Sequence, residues 1–104
     1  MKDNITFGRK LDEGHLETAL RVSQLKSDVE LFALGIETTI GERGLNVSGG
    51  QKARISLARA IYSNADIYLL DDPLSAVDPN VANLLFSECI QGHLKDKAVI
   101  LVTH

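Results

Sequence analysis

The sequence predicts an α/β fold, read as part of a larger α/β domain. Three observations carry this. Ile67–Leu70 and Ala98–Val102 are short aliphatic runs without alternation, the pattern of parallel strands covered on both faces. Asp78-Pro79 between them opens a helix, which makes one βαβ unit with a right-handed crossover. Ahead of the first strand, residues 9–46 read as helical and then loop-like. Two such strands expect neighbours on both edges, and the sequence offers only two. The expectation is therefore an incomplete domain, with strands missing before Met1 and structure missing after His104.

The elements follow in order. Leu16, Ala19, Leu20 and Leu25 recur at helical spacing behind the polar start Asp12-Glu13. A shorter helix is expected from Ser27 or Asp28 to Leu34, with Gly35 as its stop. Glu37–Asn46 reads as a loop in which Gly41 and Gly44 supply turns. Ser48 and Gln51 stand three apart, the pattern of a capping box. Behind them Ala53, Leu57, Ala60 and Ile61 form one apolar stripe, and Ile55, Ala58 and Tyr62 a second. A helix apolar around so much of its circumference should be largely buried. Asn64-Ala65-Asp66 ends it. The strand Ile67–Leu70 runs into Asp71-Asp72. After a loop from Pro73 to Asp78, Asp78 is the N-cap and Pro79 the first helical residue. Val81, Leu84, Leu85, Glu88 and Cys89 share one face of this helix, and Gly92 is its expected stop.

Composition narrows the classes. The chain has 104 residues, 11 Lys+Arg against 14 Asp+Glu, and a net charge of −3. With a pI near 5.5, a basic nucleic-acid or membrane surface is not expected as the main function. The single cysteine, Cys89, rules out an internal disulfide framework and fits a reducing, intracellular setting. It reads as a core thiol. No apolar run approaches the roughly 20 residues of a membrane helix. The start, Met1-Lys2-Asp3-Asn4, lacks a signal-peptide pattern. The chain itself is expected to be soluble, whatever it is attached to.

Two motifs suggest chemistry. In Val47-Ser48-Gly49-Gly50-Gln51 the glycines remove side chains where a helix begins. Unpaired N–H groups and the positive end of the helix dipole lie there, and the Ser48 hydroxyl adds a donor, so a phosphate could approach closely. A capped helix start whose glycines only serve a turn fits the pentapeptide equally well. The second motif is Ile67–Asp71. An acid at the end of an apolar strand can hold Mg²⁺ through its water shell, or can simply cap the next loop. Together, about twenty residues apart with a buried helix between, the two motifs are far more specific.

The run from Gly41 to His104 resembles the nucleotide-binding domain of ABC transporters. Val47–Gln51 resembles the signature motif LSGGQ, with Val in place of Leu. Ile67–Asp71 resembles the Walker B strand, and Ser75-Ala76-Val77-Asp78 the D-loop. His104 falls at the switch histidine, and Asn4–Gly8 resembles the segment after the Q-loop. The resemblance implies the C-terminal part of a P-loop NTPase domain: a helical subdomain and loop at about 9–46, and signature helix, Walker B strand, D-loop and H-loop at 47–104. The wording Ile40–Gly44, Gly50–Arg54 and Leu70–Asp78 is similar to the first nucleotide-binding domain of the multidrug-resistance-associated (C) subfamily, eukaryotic exporters with two such domains and polytopic membrane segments.

The resemblance further implies ATP and Mg²⁺ in the complete domain, with Asp71 toward the metal. Asp72 and His104 are implied as catalytic, His104 at the γ-phosphate. Val47, Ser48, Gly49, Gly50 and Gln51 would close over ATP held by a second nucleotide-binding domain. Transmembrane domains of the parent are the other partners, nucleic acid is not one, and the location is the cytoplasmic face of a membrane. Two departures matter. No G-x-x-x-x-G-K-[ST] occurs in the sequence, so this chain is not expected to form its own nucleotide pocket. Asp72 stands where a hydrolytic site usually has Glu. One methylene less leaves the attacking water about 1.5 Å out of place, and such misplacement can cost ~10²-fold.

Three functions compete. The first is a piece of a transporter ATPase, exporting organic anions or conjugates. The second is a piece of a soluble ABC ATPase of translation or chromosome maintenance, against which Asp72-Pro73-Leu74-Ser75 argues. The third is a non-enzymatic interaction module, which the missing P-loop favours for this chain alone. His15 and His93 read as surface residues, and Arg54 and Arg59 as helix-face or ion-pair residues.

Overall fold

The computed structural model describes residues 1–32, 34–40, 47–71 and 74–102. The expected turns at Gly41 and Gly44 lie outside them. Helices α1 (Lys2–Thr6), α2 (Glu13–Val22) and α3 (Lys26–Leu31) are followed by a 3-10 turn (Gly35–Glu37) and the long helix α4 (Gly49–Ser63). Strand β1 (Ile67–Asp71), helix α5 (Pro79–Leu84), a π-helix (Leu85–His93) and strand β2 (Ala98–Val102) complete the order.

The helix starts follow local chemistry. The Asp12 carboxylate accepts the His15 N–H at 3.0 Å and caps α2. At α4 the Ser48 Oγ accepts the Gln51 N–H at 3.1 Å, while Gln51 Oε1 accepts the Ser48 N–H at 2.9 Å. This is the reciprocal box that the Ser-Gln spacing implies. Asn64, left-handed at φ 52°, ends α4. Asp78 caps α5 through the Val81 N–H at 3.0 Å, with Pro79 at the first turn.

One core joins these elements. Ile5, Leu16, Ala19, Leu20 and Leu25 pack against Ile55, Ala58 and Ile61 of α4, and Tyr68, Leu70, Leu85, Cys89 and Leu94 complete it. Tyr62 fastens α2 to α4. Its hydroxyl donates to the Lys10 carbonyl at 2.6 Å and accepts the Asp12 N–H at 2.8 Å. His15 is half-buried rather than a surface residue, because its ring packs on Tyr62 and its Nε2 donates to the Tyr62 carbonyl at 3.0 Å. His93 is exposed, and Cys89 is buried as expected.

Strands β1 and β2 pair in parallel, with Ile67 opposite Ala98 and Asp71 opposite Val102. Three expectations need correction. The strands are not buried on both faces: Tyr68 and Leu70 point into the core, while Ile67 (66% exposed), Leu69 (69%) and Ile100 (57%) point away from it. Helix α3 stops at Leu31 because Phe32 turns extended, and Gly35 instead begins the 3-10 turn at φ 55°. Gly92 does not end the last helix. The chain widens there to i→i+5 bonding, with the Leu94 N–H reaching the Cys89 carbonyl at 2.9 Å. Leu84 is consequently 43% exposed rather than on the buried face.

Candidate functional site

The N-terminus of α4 meets the segment after β1. Ser48, Gly49 and Gly50 line a cleft of about 250 Å³ with Arg54, Ala76, Val77 and Asp78. The capping box satisfies the Ser48 and Gln51 N–H groups, and helix geometry leaves those of Gly49 and Gly50 without an intrahelical acceptor. These donors carry the positive end of a 15-residue helix. Replacing a capping Ser by Ala typically costs about 1 kcal/mol, so Ser48 has a structural task beside any other.

The two glycines differ. A Cβ on Gly49 would come no closer than 3.8 Å to the Ala76 Cβ. A Cβ on Gly50 would lie 2.8 Å from the Ala76 carbonyl oxygen, inside contact distance. Gly50 is therefore required by the close approach of the segment 74–78, whose Val77 N–H returns to the Leu74 carbonyl.

The other sequence-expected residues separate by environment. Val47 is buried in the core and anchors the motif. Gln51 uses both ends of its carboxamide inside the chain: Oε1 in the capping box, and Nε2 donating to Asp28 Oδ1 at 3.1 Å. Ser75 and Ala76 are exposed, Val77 is half-buried, and the Asp78 carboxylate caps α5. Asp71 is exposed at the C-terminal end of β1, beside a second cleft of about 300 Å³ lined by Ala53, Ser56, Leu57 and Ala60 of α4. Asp72 and His104, expected as catalytic, lie outside the described residues.

Sequence reading missed the polar cluster behind the cleft. Arg54 donates through Nη1 to Asp28 Oδ2 at 2.6 Å and to the Gln24 carbonyl at 2.6 Å. Its Nε donates to the Gly50 carbonyl at 3.2 Å. Asp28 lies 26 residues from Arg54, and no local spacing links them. Only the expectation that Arg54 is an ion-pair residue pointed this way. Arg59, on the same helix, donates to the Asn4 carbonyl and stacks 4.6 Å from the Phe7 ring centroid.

The start of α4 thus faces the segment 74–78, and β1 ends beside it in Asp71. The family model "ABC transporter" matches residues 2–75, and the chain belongs to that family. The chain is 56% identical over 104 residues to "ABC transporter C family member 12" of Dictyostelium discoideum, covering 100% of this chain and 8% of that protein. It is 54% identical over 104 residues to "ABC transporter C family member 9" of Arabidopsis thaliana and 53% identical over 106 residues to "Multidrug resistance protein mrp-7" of Caenorhabditis elegans, each covering 100% of this chain and 7% of the relative. The chain thus spans less than a tenth of the length of these proteins. The family's P-loop NTPase fold is represented here by helices and a small two-stranded parallel sheet. Among the described residues no helix is long and apolar enough to cross a membrane.

The residues present fit the groups this family implies unequally. The N–H groups at the start of α4 are of the kind that could donate to a phosphate oxygen. Among the described residues no three His, Cys, Asp or Glu side chains gather around a metal position. The exposed Asp71 carboxylate would fit such an ion only if water and phosphate supplied most of its ligands, the habit of Mg²⁺.

Proposed function

We propose that this chain is the signature-bearing part of the ATP-hydrolysing domain of a C-subfamily ABC exporter, corresponding to the first of its two nucleotide-binding domains. Residues 9–46 belong to the helical subdomain and its loop, and residues 47–104 carry the signature helix, Walker B strand, D-loop and H-loop. The observation that carries the reading is the cleft at the start of α4, where Ser48 and Gly49 face the segment Ala76–Asp78. Both stretches resemble the family's signature and D-loop wording, and the first presents N–H donors.

The donors of Ser48, Gly49 and Gly50 meet the γ-phosphate of ATP held by the second nucleotide-binding domain. Val47 and Gln51 hold that edge in place. Asp71 binds the water shell of Mg²⁺, and Ser75–Asp78 face the partner domain. With a side chain one methylene shorter than the usual Glu, Asp72 would be a weak water-orienting group, and His104 would stabilise charge at the γ-phosphate. The parent protein places this domain against its transmembrane domains on the cytoplasmic face of the membrane.

Steady-state ATPase of the purified full-length transporter tests this. Ser48→Arg puts a bulky side chain into the cleft and should remove most activity. Asp72→Asn should change turnover by less than about tenfold, because losses of 10²–10⁴ follow only from removing a working base. Equal damage from both substitutions would make Asp72 a true base. Full activity in Ser48→Arg would remove the signature edge from the mechanism.

A further inference from the structure

Helix α3 has no buried residue, yet it holds the start of α4 by a specific set of polar contacts. Asp28, in its first turn, divides its carboxylate between two residues. Oδ2 accepts from Arg54 Nη1 at 2.6 Å. Oδ1 accepts from Gln51 Nε2 at 3.1 Å and from Arg54 Nη2 at 3.4 Å. The pair is largely desolvated, with Arg54 12% and Asp28 18% exposed, so it is screened far less than a surface pair.

Each arm reaches the motif edge. The Gln51 carboxamide held by Asp28 is the one whose Oε1 fixes the Ser48 N–H. The Arg54 guanidinium held by Asp28 is the one whose Nε fixes the Gly50 carbonyl. Asp28 therefore helps fix both side chains that orient Ser48 and Gly50, sharing Arg54 with the Gln24 carbonyl at 2.6 Å.

We infer that Asp28 is a positioning residue for the signature edge, coupling the placement of α3 to the presentation of the Ser48 and Gly49 donors. This rests on the reading that the edge meets ATP. Because Asp28 does not touch the nucleotide, its removal loosens the edge and weakens the capture of ATP before it affects the chemical step.

The test is the ATP dependence of steady-state ATPase in the full-length transporter, with Asp28→Asn, Arg54→Lys and Ser48→Arg compared. Asn keeps the shape of Asp28 and loses its charge. Lys keeps the charge of Arg54 and loses the forked geometry. The expected result is a KM for ATP raised about three- to tenfold in both Asp28→Asn and Arg54→Lys with kcat within about twofold, the signature of lost binding rather than lost chemistry. The double variant should be no worse than the stronger single one, since both act through one contact. Unchanged KM in Asp28→Asn and Arg54→Lys, with Ser48→Arg inactive, overturns this inference and leaves the ATP-facing reading standing. Normal activity in Ser48→Arg overturns both. Should Asp28→Asn fail to fold, Arg54→Lys alone decides by the same KM criterion.

Discussion

At the scale of single residues, Gly50 carries the clearest constraint. Sequence reading left two explanations for both glycines, the approach of a phosphate and a turn at a capped helix start. The structure separates them: a Cβ on Gly49 would meet the Ala76 Cβ at an ordinary 3.8 Å, whereas Gly50 lies under the Ala76 carbonyl. The contact joins residues far apart in the chain, so no local pattern announces it. Alanine at position 50 must push the segment 74–78 away, since overpacking against backbone has no flexible atom to yield. In the full-length protein, Gly50→Ala should speed amide hydrogen exchange across Leu74–Asp78 by about tenfold, an overpacking cost at the low end of the usual range. Gly49→Ala should leave it unchanged. Equal exchange in the two variants would remove the packing role. Ser48, Gln51, Asp78 and Pro79 were legible because a cap is a local device, complete within four residues.

At the scale of elements, helices α2 and α4 follow from their periodicity, and β1 and β2 from their aliphatic runs. The last helix does not. An α-period placed Leu84 and Glu88 beside Leu85 and Cys89. The residues actually buried are Leu85, Cys89 and Leu94, at steps of four and then five, which i→i+5 bonding aligns and an α-period does not. The wider helix seals Cys89, whose thiol burial pushes up to about 12 from an ordinary 9.0. Peptide-resolved iodoacetamide labelling at pH 8 should modify Cys89 only after denaturation, because the thiolate is the nucleophile. Rapid labelling of the native protein would contradict the burial. The sign of the pH effect follows. Between about 9 and 12 the unfolded thiol loses its proton while the folded one keeps it. The stability from this group is thus complete below 9 and declines as pH rises toward 12.

At the scale of the whole molecule, the radius of gyration is 13.1 Å, close to the ~13 Å expected for a packed chain of about 100 residues. The apolar outer face of the sheet is therefore not a product of loose packing. Ile67, Leu69, Ile100 and Val102 stand exposed together on paired strands, and a sheet face of this kind expects cover. The 104-residue polypeptide alone should bind a hydrophobic dye such as ANS and melt broadly. A sharp, cooperative monomeric melt above about 60 °C would contradict this, since that is the range of intact mesophile domains. Aliphatic runs announce parallel strands, but they do not say which layer covers them, because the covering residues are read from other elements.

The contact between α1 and α4 bears on the order in which the chain is made. Ile5 is fully buried, and Arg59 reaches back to the Asn4 carbonyl across 55 residues. At synthesis rates of about 5–20 residues per second, α1 leaves the ribosome roughly 3–11 seconds before the helix that covers it. For that interval Ile5 and the apolar stripe of α2 are exposed to water. Only once α4 has emerged as well can that apolar surface be closed off from water.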